Sequence, residues 1–367
     1  MLCRGFDTGG CRTGLSDQVG QAVEKSPPLS HTAILESMTH HTRAVTAGLN
    51  APMIPKVKKV SLALNLGGIR MRNPVIAASG TFGYGEEYAA HAPLSRLGAF
   101  ITKGISLKPQ AGNPPPRIVE TPGGMLNAIG LENVGVEALL TDKMPRLKKL
   151  GVPVIVNIFG TTREAYGEVA RRLDGRCGIA GLEVNISCPN IKKGGISFGI
   201  DPREAFRVVS AVRKAYTGPL MVKLSPNVTD IAAIARSAED AGADALSLIN
   251  TLIGMAIDID TRRPRLGNIT GGLSGPAIKP VALRMVWEVC RAVSIPVVGM
   301  GGICCSRDAL EFIIAGASAV QIGTAQFVNP GIAGEVVGGI ADYLRTRGMS
   351  GLRELVGSLQ IPPREGS

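Results

Sequence analysis

Short apolar runs recur along the chain from residue 62, separated by stretches in which apolar residues repeat every three or four positions. Eight of these runs have the length and continuous apolar character of strands that are buried on both faces of a parallel sheet. They are PVIAAS from 74, AFITKG from 99, PVIVNIFG from 153, LEVNIS from 182, PLMVKLS from 219, ADALSLIN from 243, PVVGMGG from 296 and SAVQIGT from 318.

The stretches between these runs have the periodicity of helices. Residues 134–150 carry apolar side chains at three- and four-residue steps, with the stem of Lys143 filling one place on the stripe. A second helix is predicted over 229–241 with Thr229 as its N-cap, and a third over 306–316, capped by Ser306 and ended by Gly316. Alternating strands and helices predict a parallel sheet. Eight such units favour a closed (β/α)8 barrel over an open sheet, and no GxGxxG follows the first strand.

Two longer stretches interrupt this alternation. Residues 106–126 are rich in Pro and Gly and cannot form a plain crossover helix, whereas residues 252–274 are typical of an excursion that contains a hairpin. Both follow the C-terminal ends of predicted strands, where barrel enzymes build their active sites. We therefore expect a TIM barrel over residues 61–360 with inserted loops at its C-terminal rim. Residues 1–60 lack sustained apolar periodicity and are predicted to be a disordered N-terminal extension.

Composition narrows the classes of function. The net charge of +11 hints at acidic ligands, but no block of basic residues and no basic–aromatic interleaving occur, which disfavours nucleic-acid binding. No apolar run reaches the roughly 18 residues that a membrane helix requires. The seven cysteines form no CxxC pair, which disfavours zinc and iron–sulfur sites on this chain. Reduced thiols, and therefore a cytoplasmic protein, are the simplest interpretation.

Polar residues recur where the predicted strands end. A barrel strand should be apolar until it reaches the catalytic rim. The terminal residues here are Ser79, Lys103, Asn157, Asn185, Lys223 and Asn250. Each alone could be a rim residue bonded to backbone or water, but together they favour a shared ligand. Amides match the edge of a flat heterocycle, and lysines suit a carboxylate or charge that develops on a reduced ring.

Glycines follow the seventh and eighth predicted strands, in GMGGI (299–303) and IGTA (322–325). This is the position of the standard phosphate site of (β/α)8 barrels, where backbone N–H groups surround the phosphate. The alternative is a pair of ordinary tight turns. Gly275, in GGLSGP, could likewise let the backbone approach a ligand.

Cys188 follows the fourth predicted strand, and it is either a small packed residue or a reactive thiol. It lies three residues past Asn185, Pro189 fixes the chain after it, and the KKGG of 192–195 is typical of a flexible lid. The four histidines lie at or before His91, so no imidazole base follows in the chain. With a pKa of about 8.5, a thiol suits proton abstraction better than donation.

Four blocks carry a resemblance to a known family. NAIGLEN (127–133), NISCPN (185–190), VKLSPNVTDI (222–231) and NITGGLSGPAIKP (268–280) resemble the class 1 dihydroorotate dehydrogenases. The last block is most similar to the catalytic subunit of the NAD-dependent B type, and the resemblance runs from about residue 62 to 358. It implies an FMN-containing (β/α)8 barrel that oxidises (S)-dihydroorotate to orotate in de novo pyrimidine (UMP) biosynthesis.

The resemblance also implies roles for individual residues. Cys188 corresponds to the base that removes the C5 proton while a hydride leaves C6 for the flavin N5. The FMN contacts fall on Ser79, Lys103, Gly104, Asn157, Asn185, Lys223, Ile249, Gly275, Gly301, Gly302, Gly323 and Thr324. The substrate contacts fall on Lys103, Asn127, Ala128, Ile129, Gly130, Leu131, Asn185, Asn250 and Thr251, with Asn190 as a lesser candidate.

The B type implies a partner subunit with FAD and a [2Fe–2S] cluster that relays electrons to NAD, and a homodimer of catalytic subunits within a heterotetramer. Alternatives remain: a stand-alone A-type enzyme that uses fumarate, a reductase similar to dihydropyrimidine dehydrogenase, a flavin-free lyase with Lys103 or Lys223 as Schiff base, or a non-catalytic binding barrel. The membrane-associated class has an N-terminal hydrophobic helix and a serine base, and this sequence has neither.

Overall fold

The computed structural model describes residues 60–85, 94–187 and 198–362, so all but the last residue of the predicted N-terminal extension lies outside it. Its strands are β1 (Leu64–Leu66), β2 (Ile69–Met71), β3 (Val75–Ala77), β4 (Ala99–Ile101), β5 (Ile118–Thr121), β6 (Gly124–Asn127), β7 (Val154–Ile158), β8 (Gly181–Asn185), β9 (Leu220–Lys223), β10 (Ala245–Leu248), β11 (Leu252–Met255), β12 (Ile257–Asp258), β13 (Arg263–Pro264), β14 (Thr270–Ser274), β15 (Val297–Met300) and β16 (Ala319–Ile322).

Eight of these strands form a closed barrel in the order β3-β4-β7-β8-β9-β10-β15-β16, with β16 pairing β3 again. All eight pairings are parallel. The eight strands coincide with the eight apolar runs, except that β8 begins one residue earlier, at Gly181. Both the strand prediction and the (β/α)8 barrel are confirmed. Nearly every barrel-strand residue is buried, because the strands face the barrel interior on one side and the helices on the other.

Helices cover the outside of the barrel. Those described are α1 (Gly135–Ala138), α2 (Met144–Leu147), α3 (Arg163–Leu173), α4 (Pro202–Ala215), α5 (Ile231–Asp240), α6 (Lys279–Cys290), α7 (Ser306–Ala315), α8 (Ala325–Val328) and α9 (Ile332–Thr346). Single 3₁₀ turns occupy Leu94–Arg96, Lys148–Leu150, Pro276–Ile278 and Leu352–Glu354. None of the described helices is long and apolar enough to cross a membrane.

The helix over 134–150 differs from the prediction in its interior. A π-helical turn at Leu139–Lys143 joins α1 to α2 and shifts the buried stripe by one residue. Met144 is therefore buried where Lys143 was expected, and the Lys143 ammonium instead lies over the Tyr84 ring, 5.4 Å from its centre.

Two helices begin one residue away from the expected caps. Asp230 rather than Thr229 caps α5, because its carboxylate accepts from the backbone N–H of Ala233. Cys305 rather than Ser306 is the N-cap of α7, where the Asp308 carboxylate accepts from the Cys305 N–H. The Gly316 stop is confirmed.

The two insertions form one accessory sheet at the C-terminal rim, with the order β11-β14-β6-β5. The first insertion supplies the hairpin β5–β6, and the second supplies β11 and β14, with the small hairpin β12–β13 between them. The expected hairpin is thus present. Each insertion supplies one antiparallel pair of strands, and the antiparallel pairing of β14 with β6 joins the two pairs.

The barrel interior changes from apolar to polar along the strands. At the N-terminal end, the hairpin β1–β2 packs against an apolar layer that includes Ile155, Met221, Ala245 and Ala319. Because side chains alternate between the two faces of a strand, the residues two positions further point into the same interior. Those residues are polar: Asn157, Lys223, Ser247 and Gln321. The fold thereby places the site at the C-terminal half of the barrel.

Candidate active site

A pocket opens at the C-terminal rim, between the barrel strands and the accessory sheet. All twelve residues expected to contact FMN line it, although they come from nine different segments of the chain: Ser79, Lys103, Gly104, Asn157, Asn185, Lys223, Ile249, Gly275, Gly301, Gly302, Gly323 and Thr324. Eight of the nine main expected substrate residues also line the pocket: Lys103, Asn127, Ile129, Gly130, Leu131, Asn185, Asn250 and Thr251. Lys103 and Asn185 belong to both sets. The fold therefore gathers the two sets in one cavity.

Ala128 is the expected substrate residue that does not line the pocket. It is buried in a small apolar cluster with Val119, Leu126 and Leu266 beneath the accessory sheet. Its carbonyl accepts from the Asn113 side chain at 3.0 Å. Ala128 therefore holds the loop against the sheet, while its neighbours Asn127 and Ile129 face the cavity.

The 127–133 loop is shaped by a buried asparagine. Asn133 Oδ1 accepts from the backbone N–H of Ser106 at 3.2 Å and of Gly135 at 2.9 Å, and its Nδ2 donates to the Leu131 carbonyl at 2.8 Å. Gly130 and Leu131 have φ of 75° and 59°, which turns the backbone towards the pocket. An L-residue such as Leu131 rarely adopts this conformation, and the Asn133 bonds hold it there.

Asn185, at the end of β8, is part of a small network with Ser187 and Asn250. Ser187 Oγ donates to Asn185 Oδ1 at 2.8 Å, and Asn250 Nδ2 donates to Ser187 Oγ at 2.5 Å. Tyr166, fully buried on α3, donates its hydroxyl to the Asn185 carbonyl at 2.7 Å. Because Asn185 Oδ1 is used in this way, its amide nitrogen is the group left to face a ligand.

One interior carboxylate lies below these rim residues. Glu183 on β8 is fully buried and accepts from Asn157 Nδ2 at 2.6 Å, from Ser247 Oγ at 2.9 Å and from Gln321 Nε2 at 2.9 Å. Asn157 Oδ1 and Gln321 Oε1 are buried without a hydrogen-bond partner among the described residues. Buried acceptors are rarely left unpaired in proteins, so these two oxygens favour a ligand with donor groups.

The glycine turns after β15 and β16 bring backbone to the wall of the pocket. Gly301 and Gly302 have φ of 127° and 74°, and a Cβ at either position would come within 3 Å of α6. Across the pocket, Thr324 Oγ1 donates to Ser274 Oγ at 2.8 Å, which ties the loop after β16 to the accessory sheet. Exposed backbone between two such turns suits a phosphate group.

Some polar residues at the site lie outside the predicted set, and Glu183, Gln321 and Glu132 are the charged or amide side chains among them. Glu183 and Gln321 lie inside apolar runs, whereas the prediction rested on the polar residues at strand ends. Glu183 lies two residues before Asn185, so both side chains point to the barrel interior. A polar residue two positions before a polar strand-end residue is the sequence pattern that could have revealed Glu183. Glu132 lines the pocket from the NAIGLEN block.

Cys188, Asn190 and the KKGG segment lie outside the described residues, so their expected roles stay predictions. The described chain ends at Ser187 on one side of this gap, and Ser187 bonds to the rim residues Asn185 and Asn250. Cys188 is thus attached to a residue of the rim. Within the described ranges, no cluster of three or more His, Cys, Asp or Glu could hold a metal ion.

The chain matches the family model described as dihydroorotate dehydrogenase over residues 61–344. It is 61% identical over 302 residues to a protein of Pelobacter propionicus, covering 82% of this chain and 99% of the relative. It is 59% identical over 303 residues to a protein of Geotalea daltonii, covering 83% of this chain and 99% of the relative. Both relatives are named "Dihydroorotate dehydrogenase B (NAD(+)), catalytic subunit". The family match includes every barrel strand and every residue that lines the pocket.

Proposed function

The chain belongs to the dihydroorotate dehydrogenase family, and on this basis we propose that it is the catalytic subunit of an NAD-linked enzyme that oxidises dihydroorotate to orotate in pyrimidine biosynthesis. The observation that carries the proposal is the convergence of all twelve expected flavin residues on one pocket. A barrel without a flavin would leave that ring of amides, lysines and glycines unexplained.

FMN is the flavin that the family implies, and the residues present fit it. The turns at Gly301–Gly302 and Gly323–Thr324 would hold the phosphate, and the interior amides would hold the polar groups of the flavin. The two unpartnered oxygens, of Asn157 and Gln321, are acceptors for its donor groups. When bound, FMN supplies a two-electron acceptor for the hydride that leaves substrate C6.

The chain's own residues bind and orient the substrate. Dihydroorotate is a ring with alternating N–H and C=O groups and one carboxylate, which matches the amides of Asn127, Asn185 and Asn250. Lys103 provides a cation at the same pocket wall for the negative charge of the substrate. The Ser187 hydroxyl fixes the orientation of the Asn185 and Asn250 amides before the substrate arrives.

Cys188 is the proposed general base that removes the C5 proton. It directly follows Ser187, and no histidine occurs after residue 91 to serve instead. A thiolate formed at moderately alkaline pH accepts the proton without needing an activating imidazole. Asn190, in the same loop, is a lesser candidate for contact with the substrate.

Electrons leave the chain through a partner. The relatives' names describe a catalytic subunit of an NAD(+) enzyme, and the described residues contain neither a cluster of metal ligands nor a dinucleotide fingerprint after the first barrel strand. We assign FAD and a [2Fe–2S] cluster to that partner subunit. The assembly we propose is a homodimer of this chain within a heterotetramer.

The test is to assay the purified chain alone and with the partner subunit from its host. Alone, it should release FMN on denaturation and reduce an artificial dye with dihydroorotate, but it should reduce NAD⁺ only when the partner is added. A chain that reduces fumarate directly would be a stand-alone enzyme and would contradict the partner assignment. A colourless chain that takes up no FMN, or one that borohydride traps on substrate, would contradict the flavin chemistry altogether.

A further inference from the structure

Glu183 holds an unusual position, since it is a fully buried acid in the middle of the barrel and does not line the pocket. Its two carboxylate oxygens are shared by three donors on three other strands: Asn157 on β7, Ser247 on β10 and Gln321 on β16. None of the ion pairs found among the described residues involves Glu183. Its bonds are therefore to neutral polar side chains.

The carboxylate determines which way the two amides point. A carboxylate offers only acceptors to its neighbours, so Asn157 and Gln321 must turn their NH₂ groups towards Glu183. Their carbonyl oxygens then point away from it, and both residues line the pocket. Asn157 and Gln321 are each 1% exposed, and both oxygens are without a partner among the described residues.

Gly104, which also lines the pocket, lies directly beside the Asn157 oxygen. A Cβ at position 104 would lie 2.9 Å from Asn157 Oδ1, so glycine at this position leaves free space beside the oxygen. Burying a carboxylate costs free energy that an apolar side chain of similar volume would not cost. A purely structural role would therefore be better filled by another residue.

Building on the proposed function, we propose that Glu183 is a positioning residue that aims two amide oxygens at FMN, and that Gln321 is a direct flavin contact. Glu183 itself acts through Asn157 and Gln321. The oxygens accept from donor groups of FMN, which are the ring N–H groups and the ribityl hydroxyls. Without the carboxylate, either amide could rotate and present its NH₂ group to those donors instead.

The main test replaces Glu183 by Gln in the holoprotein. Asn157 and Gln321 bond to different oxygens of Glu183, and in Gln one of those two positions is an NH₂ group, so one of the two amides turns over. We expect FMN to dissociate at least about tenfold faster after dilution, which corresponds to roughly 1.4 kcal/mol. FMN fluorescence on release measures the rate. A rate within twofold of the unaltered protein would overturn the proposal.

The reciprocal double variant separates positioning from packing. In Glu183→Gln/Gln321→Glu, the new amide at 183 accepts from Asn157 and donates to the new carboxylate at 321, so acceptor oxygens again face the pocket. We expect its FMN release rate to return to within about threefold of the unaltered protein. A folded double variant that loses FMN as fast as Glu183→Gln would overturn the proposal.

Controls cover folding and the proposed function. Glu204→Gln changes another buried acid, which pairs with Arg163 and Arg207 on the outside of the barrel, and it should leave FMN release unchanged. If Glu183→Gln does not fold, Gln321→Met is the alternative test, because it removes one acceptor at similar volume. FMN release from this variant should be at least about fivefold faster. An unchanged release rate would overturn the proposal. Failure of the proposed function would appear instead in the unaltered protein, as absence of FMN.

The reduction potential of the Gln321→Met holoprotein identifies the donor, because this substitution removes an acceptor oxygen without removing a charge. A reduced flavin carries more ring N–H groups than an oxidised one, so a lowered potential would indicate that the oxygens face the ring. Faster release with an unchanged potential would indicate donors that both redox states share, which are the ribityl hydroxyls and the ring N3–H. Both results support the proposal, and a potential that rises would overturn it, because the lost acceptors would then have opposed reduction.

Discussion

The ammonium nitrogen of Lys103 lies 3.8 Å from Oε1 of Glu132, while the Arg117 guanidinium bonds to the other oxygen of the same carboxylate. Lys103 and Glu132 both line the pocket, so a negative charge stands beside the cation expected to hold an anionic substrate. Glu132 is partly exposed, so solvent weakens its repulsion of that anion without abolishing it.

The first prediction concerns this carboxylate. Glu132→Gln should tighten orotate inhibition about two- to fivefold at low ionic strength, because one negative charge near the anion site is removed. The gain should shrink as salt is added, since screening weakens the original repulsion. Inhibition constants measured at two salt concentrations provide the check. Glu137→Gln, at an exposed ion pair with Arg172, is the control and should change neither value. Weaker orotate binding would mean that Glu132 holds Lys103 in place instead.

The second prediction concerns the proposed base. Cys188→Ala should retain FMN but oxidise dihydroorotate at least about a hundredfold more slowly, the lower end of general-base contributions. Dye reduction measures turnover, and denaturation measures the FMN content. Cys177→Ala is the matched control, because Cys177 is an exposed thiol that precedes β8 at the opposite end of the barrel. Turnover close to that of the unaltered enzyme would eliminate Cys188 as the base.

A serine at the same position gives a second, pH-dependent expectation. Cys188→Ser should keep a little activity that rises with pH, because a hydroxyl is a far weaker base than a thiol whose ordinary pKa is about 8.5. Rates measured between neutral and strongly alkaline pH check this. A flat profile would contradict proton removal by the residue at position 188.

The third prediction links acid stability to Asp308, which lies beside the glycine turn after β15. Burial would raise the pKa of this carboxyl, but hydrogen bonds from Lys279 and from the Cys304 backbone outweigh it and lower the pKa. Because the pKa of Asp308 is lower in the folded than in the unfolded protein, its ionised carboxyl stabilises the fold at pH values above the unfolded pKa, near 3.9. This stabilisation is lost as the pH falls through the folded pKa. Asp308→Asn should therefore reduce the free energy of unfolding by about 1 kcal/mol at pH 7.

The difference between the two proteins should shrink as the pH falls towards the lowered folded pKa of Asp308, because the folded carboxyl begins to lose its charge there. Denaturant unfolding with saturating FMN at pH 7 and near pH 3 measures it. Asp342→Asn removes an exposed partner of Arg345 and should cost less than about 0.5 kcal/mol at either pH. An Asp308 effect of equal size at both pH values would contradict the charge-based explanation.

The barrel was predictable from sequence because parallel strands buried on both faces read as continuous apolar runs. The strand-end polar residues were predictable for a related reason, since an asparagine such as Asn185 interrupts such a run where the interior meets the pocket. Gln321 was not predictable from sequence, because a single polar residue inside the apolar run SAVQIGT does not by itself indicate a ligand site. Only the closure of the barrel, which brings β16 near β8, reveals its bond to Glu183.

Local details escaped prediction for different physical reasons. The π-helical turn before Met144 shifts the buried face by one residue, and helical periodicity does not register such an insertion. Thr229 and Asp230 are adjacent residues that can both cap a helix, and the choice depends on which side chain reaches Ala233. The pairing of β14 with β6 joins segments far apart in the chain, and no local pattern encodes it.

The fourth prediction contrasts two glycines. Gly301, at the end of β15, has a φ of 127°, and a Cβ there would lie 2.7 Å from the Cβ of Ala282. Gly301→Ala should therefore lower the free energy of unfolding by about 2 kcal/mol or more, from strain and overpacking together. Because the same turn lines the pocket, FMN should also dissociate faster.

Gly338 is the matched control, since it lies within helix α9 and no atom outside its own helix backbone lies within 4 Å of the place that a methyl group would take. Gly338→Ala should raise the free energy of unfolding by up to about 1 kcal/mol, because alanine has the higher helix propensity. Denaturant unfolding of both variants with saturating FMN gives the comparison. The two substitutions add the same atom and are expected to act with opposite sign. A Gly301→Ala protein as stable as Gly338→Ala would show that the turn tolerates a side chain and that its glycine is not needed for close approach to α6.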